Sequence, residues 1–545
     1  MSLLTEPWMP VRTRAGERRW ISPEQLSDPE VLAFDADRAD FNGALAQFAI
    51  GLLATFVPVQ DTFAWRALFK TPPPRTDLQA WFQPGVDAFV YDGDGARFMQ
   101  DRVLGESGDV GVAALLVDSP GENTIKNNSD HFVKRGRVER LCPHCAVIAL
   151  LTLQINAPAG GAGHRTGLRG GGPLTTLLAC QPPKSLWHDL WLNVIEPPYH
   201  HDHGGDAKKV DDHFTFPWLA DITTIQPDKG ETAPKQTHPL HIFWAMPRRI
   251  RLDFQATSSG TCDLCHRASD RLLSQYSTKA YGLNYKGPWD HVLSPYYQTK
   301  EGWLPLHPQP GGFGYRHWLP WVLGSGDDKQ KQRPARVVER HALSRRQSTV
   351  GGQFQIWAFG FDMDNMKARC WYEARLPLYN LDDCAASDLR RLEVVINRWL
   401  EGARFARYAL SSAVKSAWFK LDARGDFSLV DARFWAQTEE AFYRNLRDVI
   451  DEVRGGAVQD HEALDERWLQ TLSQVCRDLF DKEFVGSGLI DRQNPRRVAD
   501  AHKLLLNTLN GSKLRQLLAL PTLDVGKPVK ARPAKAAKTK NKEEA

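Results

Sequence analysis

Four cysteines stand in two pairs, Cys142-Pro-His-Cys145 and Cys262-Asp-Leu-Cys265. Each CxxC sets two thiolates where one tetrahedral ion takes both, and two such pairs complete a four-sulfur shell. A closed shell leaves no position for water, so the expectation is one structural zinc ion on Cys142, Cys145, Cys262 and Cys265. It would staple segments 117 residues apart in the chain, far beyond the span of a local zinc ribbon. The competing reading is a redox dithiol, which lacks a thioredoxin-like βαβ context around either pair. Cys180, Cys370, Cys384 and Cys476 are expected in the core.

The second chemical feature is NAPAGGAGHRTGLRGGGP, Asn156 to Pro173, with seven glycines and His164, Arg165 and Arg169 among them. Clustered glycine lets backbone approach a ligand closely and supplies positive φ at low steric cost. The interspersed cations point to an anionic ligand. A surface loop without a ligand is one alternative, because loops are where glycine collects. A nucleotide loop is another, but the chain has no GxxxxGKS or GxxxxGKT, and the run follows a helix where a dinucleotide fold needs a strand. A backbone-lined element meeting a polyanion, nucleic acid above all, remains. Enzymatic chemistry is thin. The His200-His201-Asp202-His203 run lies in a Gly/Asp/Lys-rich loop without helical spacing, and Asp130-His131 and Asp211-Asp212-His213 lack further ligands.

These groups need elements to hold them. The expected fold is α+β, with three domains. Residues 1–380 form a large irregular mixed α/β domain carrying the zinc site, 381–520 a four-helix bundle, and 521–545 a disordered basic tail. In the first, Asn42 to Val57 and Cys142 to Ile155 read as buried helices, and His241–Phe254 and Gly351–Met363 alternate as strands do. In the second, apolar stripes at helical spacing begin at Ser387, Ser428, Asp460 and Asn494-Pro495, the last ending at Gly511.

Charge divides unevenly. Of 69 Lys/Arg against 65 Asp/Glu, the last 27 residues hold seven basic and three acidic, which is the whole net charge of +4. The body, neutral at 62 of each sign, needs local patches or partners to grip a polyanion. Lys126–Arg140 and Lys329–Arg346 are two such patches, each also readable as a solvated loop. The opening residues do not read as a secretory signal, and the longest apolar run, Phe48 to Val57, is about half a membrane span. A cytoplasmic protein without a membrane partner is expected.

Five strings in this order carry a resemblance: LLTEPWMPVR, SPGENTIKNNSDHFVKRG, the CPHC and CDLC pairs, NAPAGGAGHRTGLRGGGPLTT and GFDMDNMKARCWYE. With them the chain resembles the CasA-type large subunit of the type I-E CRISPR surveillance complex (Cascade), over nearly all but the basic tail. The resemblance implies a non-enzymatic protein that recognises a short duplex motif beside the target, the PAM, from the minor groove. It implies DNA contacts by the glycine loop Ala159, Gly160, Gly161, Ala162 and Gly163, by Lys279, and by a strand-separating wedge at Asp364 and Asn365. Some relatives have more glycine in that loop, and some a glutamine at the wedge. Asn127, Asn128 and Phe132 match a loop that docks on the guide RNA–protein complex of backbone and small subunits. The remaining partner implied is the effector helicase–nuclease. A degenerate minor groove suits reading by glycine backbone and one long lysine, and base pairing to the guide leaves the protein only the PAM. Two other readings are a zinc-stapled scaffold of a ribonucleoprotein without duplex recognition, and a metal-dependent nuclease using the histidine run.

Overall fold

Two helices, α1 (Ala39–Phe56) and α2 (Pro143–Asn156), are apolar around nearly their whole circumference, so both must be buried. They pack on each other in the computed structural model, which describes residues 1–128, 130, 134–161, 163–197, 205–206, 212–226, 230–325, 331–342, 351–364, 366–381, 384–419, 426–455, 461–485 and 494–522. Around α1 the core is aromatic. Phe48 meets Trp8 and Trp244 edge-to-face at 5.2 and 5.9 Å, and Phe98 meets Trp218 at 5.1 Å, the geometry that ring quadrupoles favour.

Short antiparallel sheets surround these helices. β1 (Met9–Thr13) lies between β2 (Arg18–Ile21) and β3 (Val31–Phe34). There follow β4 (Gly108–Gly111), β5 (Thr175–Gln181), β6 (Arg249–Leu252), the hairpin β7 (Thr257–Thr261) and β8 (Ala268–Leu273), and β9 (Gln275–Lys279) between β4 and β6. β10 (Tyr296–Thr299) joins β11 (Gly302–Pro305) to β12 (Gln332–Arg333). The longest strands, β13 (Gln353–Asp364) and β14 (Lys367–Leu378), pair with each other, and β13 also pairs with β5 from Gln353 to Phe359. The free edge of β5 is closed by three acceptors. The N–H groups of Thr176, Leu178 and Cys180 donate to Leu293 O at 2.9 Å, Asn193 Oδ1 at 2.8 Å and Asp189 Oδ1 at 2.8 Å. An edge so blocked offers no ladder to a second chain.

The C-terminal region is helical: α3 (Ala386–Trp418), α4 (Ser428–Arg454), α5 (Glu462–Asp478) with a π turn Leu479–Phe484, α6 (Pro495–Leu509) and α7 (Ser512–Leu517). Asn494 caps α6 by accepting the N–H groups of Arg496 and Arg497 at 3.1 and 3.3 Å, with Pro495 in the first turn. The chain forms two compact units that do not follow chain order. One comprises Met1–Asn397 with Asp431–Val458, and the other Arg398–Val430 with Gln459–Ala545. In the first, Tyr315 stacks on Phe442 of α4 at 4.4 Å and shares a 2.8 Å hydrogen bond with Thr438. In the second, Trp399 Nε1 donates to Asp465 at 2.6 Å and Trp468 Nε1 to Trp399 O at 3.0 Å.

Several sequence expectations need correction. Of His241–Phe254 only β6 is strand, since Pro239–Phe243 is a 3-10 helix that buries His241, Ile242 and Phe243. The alternating pattern there belongs to a helical turn with proline in its first turn. Cys180 and Cys476 are buried as expected, whereas Cys370 and Cys384 are only half-buried. α3 starts one residue before Ser387, with Asp388 accepting the Ala385 N–H at 3.2 Å. Among the described residues no helix is long and apolar enough to cross a membrane.

Candidate metal centre and nucleic-acid interface

Cys142 caps α2, its sulfur accepting the Cys145 N–H at 3.5 Å and its own N–H donating to Cys262 Sγ at 3.3 Å. Cys262 and Cys265 occupy the turn between β7 and β8, where the tight backbone takes His266 to φ +56°. Leu141 exchanges backbone hydrogen bonds with Leu273 of β8 at 2.9 and 2.8 Å, which lays the two pairs together. All four sulfurs lie within 4.8 Å of one another, and Cys142 Sγ is 3.7 Å from Cys265 Sγ. Four sulfurs about 2.3 Å from a tetrahedral ion stand roughly 3.8 Å apart, so the set fits one metal ion closely. Hydrogen bonding from Cys142, Cys145 and Cys265 holds the Cys262 thiol far below its ordinary pKa. Its sulfur lies beside the positive N-terminus of α2, which favours the thiolate form that a metal ion binds. Among the described residues no other group of three or more His, Cys, Asp or Glu side chains is placed to share an ion.

The glycine segment links two further elements. At its start, Gly163 (φ +83°) accepts the Tyr281 N–H at 2.8 Å, and a Cβ on Gly163 would sit 2.7 Å from Ala280 Cβ. Only glycine permits that approach. Lys279, exposed at the end of β9, is therefore next to the glycine loop, and no ion pair engages its ammonium among the described residues. At its end, Gly172 (φ +59°) lies against the β13–β14 hairpin, where a Cβ would meet Phe361 Cβ at 2.7 Å and Met363 Cε at 2.8 Å. The hairpin continues past the last β5 pair as a two-stranded ribbon closed by the pair Asp364–Lys367. Five residues of β13 past Phe359 amount to about 17 Å. Arg369 donates to Asp362 at 2.6 Å near the tip, and Asp364 is exposed there.

The three cationic candidates of the segment part company. Arg169 is buried, 4% exposed, and donates to Thr175 Oγ1 at 3.0 Å, Ser294 Oγ at 2.8 Å and Gln47 Oε1. Burial without an acid pulls its pKa down to about 10, so this guanidinium fastens the segment to the core and does not meet an external anion. His164 packs beside Gly160 and Arg248, and burial and then the Arg248 charge lower its pKa. Arg165 faces the ring of Tyr281, 5.7 Å from its centroid. Arg248, which sequence reading missed, donates to Pro158 O and fixes the loop to the strand β6 it precedes. No local motif marks it.

Asn127 and Asn128 are exposed after the short helix Glu122–Lys126. Asn128 Oδ1 accepts from Arg135 at 2.8 Å, and Arg135 also binds Asp130 at 2.9 and 3.1 Å, holding that carboxyl well below its usual range. Ala162, Phe132, Asn365, the histidine run, both ends of the Lys329–Arg346 patch (329–330 and 343–346) and the tail from 523 lie outside the described residues.

A family model described as CRISPR-associated protein Cse1 matches residues 2–479. Thermobifida fusca Cse1 superposes with a TM-score of 0.67 at 15% identity, covering 95% of this chain and 98% of that one. CasA from Thermus thermophilus gives 0.65 at 16%, covering 93% and 99%. A chain of a CRISPR RNA-guided surveillance complex gives 0.61 at 17%, covering 94% and 99%. At these identities the likeness is one of fold.

Proposed function

The chain belongs to the Cse1 family as a CasA-type Cascade large subunit, and from that premise we propose that it reads the PAM of target double-stranded DNA through the minor groove and starts strand separation there. The reading is non-catalytic. Backbone groups of Ala159–Gly163 and the ammonium of Lys279 meet base edges, and the ribbon tip at Asp364–Asn365 enters beneath the motif as the wedge. Asn127, Asn128 and Phe132 dock on the guide RNA–protein complex in the cytoplasm, and the helices of 381–520 act as a four-helix bundle domain beside the small subunits. The subunit then helps recruit the effector helicase–nuclease. The ion on the four cysteines is zinc, held for structure. The likeness to a chain of a CRISPR RNA-guided surveillance complex supports the assembly part of this reading.

One observation carries the DNA part: the Gly163–Tyr281 hydrogen bond sets the glycine loop and Lys279 side by side, each on the surface. The narrow, degenerate minor groove suits that combination of bare backbone and one long cation. A randomised-PAM binding selection with reconstituted guide complex tests it. Complex containing this chain should enrich a short motif that complex lacking it does not. Equal recovery of all duplexes would leave only the scaffold reading.

A further inference from the structure

We propose that Arg165 and Tyr281 form a sugar–phosphate contact beside the glycine loop, fixing the register in which the duplex is read. This rests on the DNA reading above and adds a class of contact to it. Of the three cationic groups in the segment, Arg169 is tied into the core and His164 packs against Arg248. Arg165 alone has no hydrogen-bond or ion-pair acceptor among the described residues, and its Nε is shielded from water without a hydrogen-bond partner. The guanidinium faces the Tyr281 ring.

Tyr281 is conspicuous on two independent grounds. It is 44% exposed, a large aromatic facing solvent two residues from Lys279. Its backbone sits at φ +64°, a conformation that bulky residues seldom adopt and that persists where the surroundings impose it. Here the Gly163 carbonyl imposes it by taking the Tyr281 N–H. The strained turn holds the ring outward, and the ring holds the guanidinium by cation–π attraction. An arginine fork oriented in advance and lacking an acid suits phosphate oxygens, and an aromatic face suits the flank of a deoxyribose. Such contacts position a duplex and carry no base information.

The test uses the complete guide complex with full-length chain and two duplexes, one with a favoured and one with a disfavoured PAM, over a range of salt. Arg165→Gln should weaken both duplexes by the same severalfold factor and reduce the slope of log affinity against log salt by about 0.9. Arg165→Lys should restore the slope. Tyr281→Gly, which relieves the φ strain, should keep or raise the melting temperature while weakening both duplexes. Parent-like affinity and slope in Arg165→Gln, or parent-like binding by Tyr281→Gly, would overturn the contact. So would a changed PAM ratio at constant slope, since that marks a base reader. A parent complex that failed to discriminate the duplexes would instead overturn the PAM reading, and the contact with it.

Discussion

Cys142 does two jobs at once: it caps α2 and lies 3.7 Å from Cys265. Serine also caps helices well, so Cys142→Ser separates the cap from the metal. It should abolish stoichiometric zinc, lower soluble yield and increase dye binding to exposed apolar surface, because the binding energy of structural zinc, on the order of 10 kcal/mol, is folding energy. Elemental analysis of the parent showing no stoichiometric metal would refute the assignment. Lys279→Ala should weaken binding to a favoured PAM roughly ten- to a hundredfold, about 1–3 kcal/mol, and leave guide-complex assembly unchanged, as read by mobility shift and gel filtration. At this scale the cysteines were legible because metal chemistry fixes their spacing. Lys279 was legible only through resemblance. Arg165 and Arg169 look alike in sequence, and what parts them is Ser294, 125 residues from Arg169. Tyr281 was not legible, since its φ depends on a carbonyl brought from a distant loop.

Elements carry the next two tests. A wedge acts on duplex opening, so Asn365→Ala should slow association with linear duplex more than with a bubble spanning the first target bases, where that opening is already made. Equal slowing on both substrates would make Asn365 an ordinary contact. On the β5 edge, burial pushes the Asp189 pKa up to about 6, against the lowering by the Cys180 N–H and by Arg375. A folded pKa above the unfolded value near 3.9 means that stability is fully present below about pH 4 and lost as pH rises through 6. Asp189→Asn keeps an acceptor for Cys180 and removes that loss. The variant should be more stable than the parent by about 1–2 kcal/mol at pH 8 and similar to it at pH 4, in thermal melts at both pH values. Helical periodicity made α3 to α6 readable in the residues themselves, because a long amphipathic stripe has few other uses. Pattern misled at His241–Phe254, where a proline-started 3-10 turn mimics alternation, and α7 was overlooked behind Gly511. Leu514 and Leu518 of that region pack on Gly402, a partner over a hundred residues away.

Over the whole molecule the charge is concentrated where the sequence is simplest. Deleting Pro528–Ala545 removes six basic and two acidic residues, hence the entire net charge of +4. The truncated chain should melt within about a degree of the parent and bind DNA less steeply with salt. A large fall in melting temperature would show that these residues contribute to the fold. Domain order was only partly readable from sequence. Helix existence is a local property, but the grouping of Asp431–Val458 with Met1–Asn397 is set by partners such as Tyr315, which no periodicity announces.

The β5–β13 pairing has a consequence for synthesis. Between Gln181 and Gln353 lie about 170 residues, which a ribosome adds in roughly ten to thirty seconds at typical elongation rates. Through that interval Thr175–Cys180, wholly buried in the finished molecule, has no strand to pair with. Its opposite edge fares better: Asp189 and Asn193, translated within a second or two of it, take the Cys180 and Leu178 N–H groups early, and only Thr176 waits for Leu293. The nascent chain thus carries one guarded and one bare edge for most of its elongation. Codon choice or chaperone supply over residues 182–352 should therefore govern yield more than the same changes downstream of Leu378.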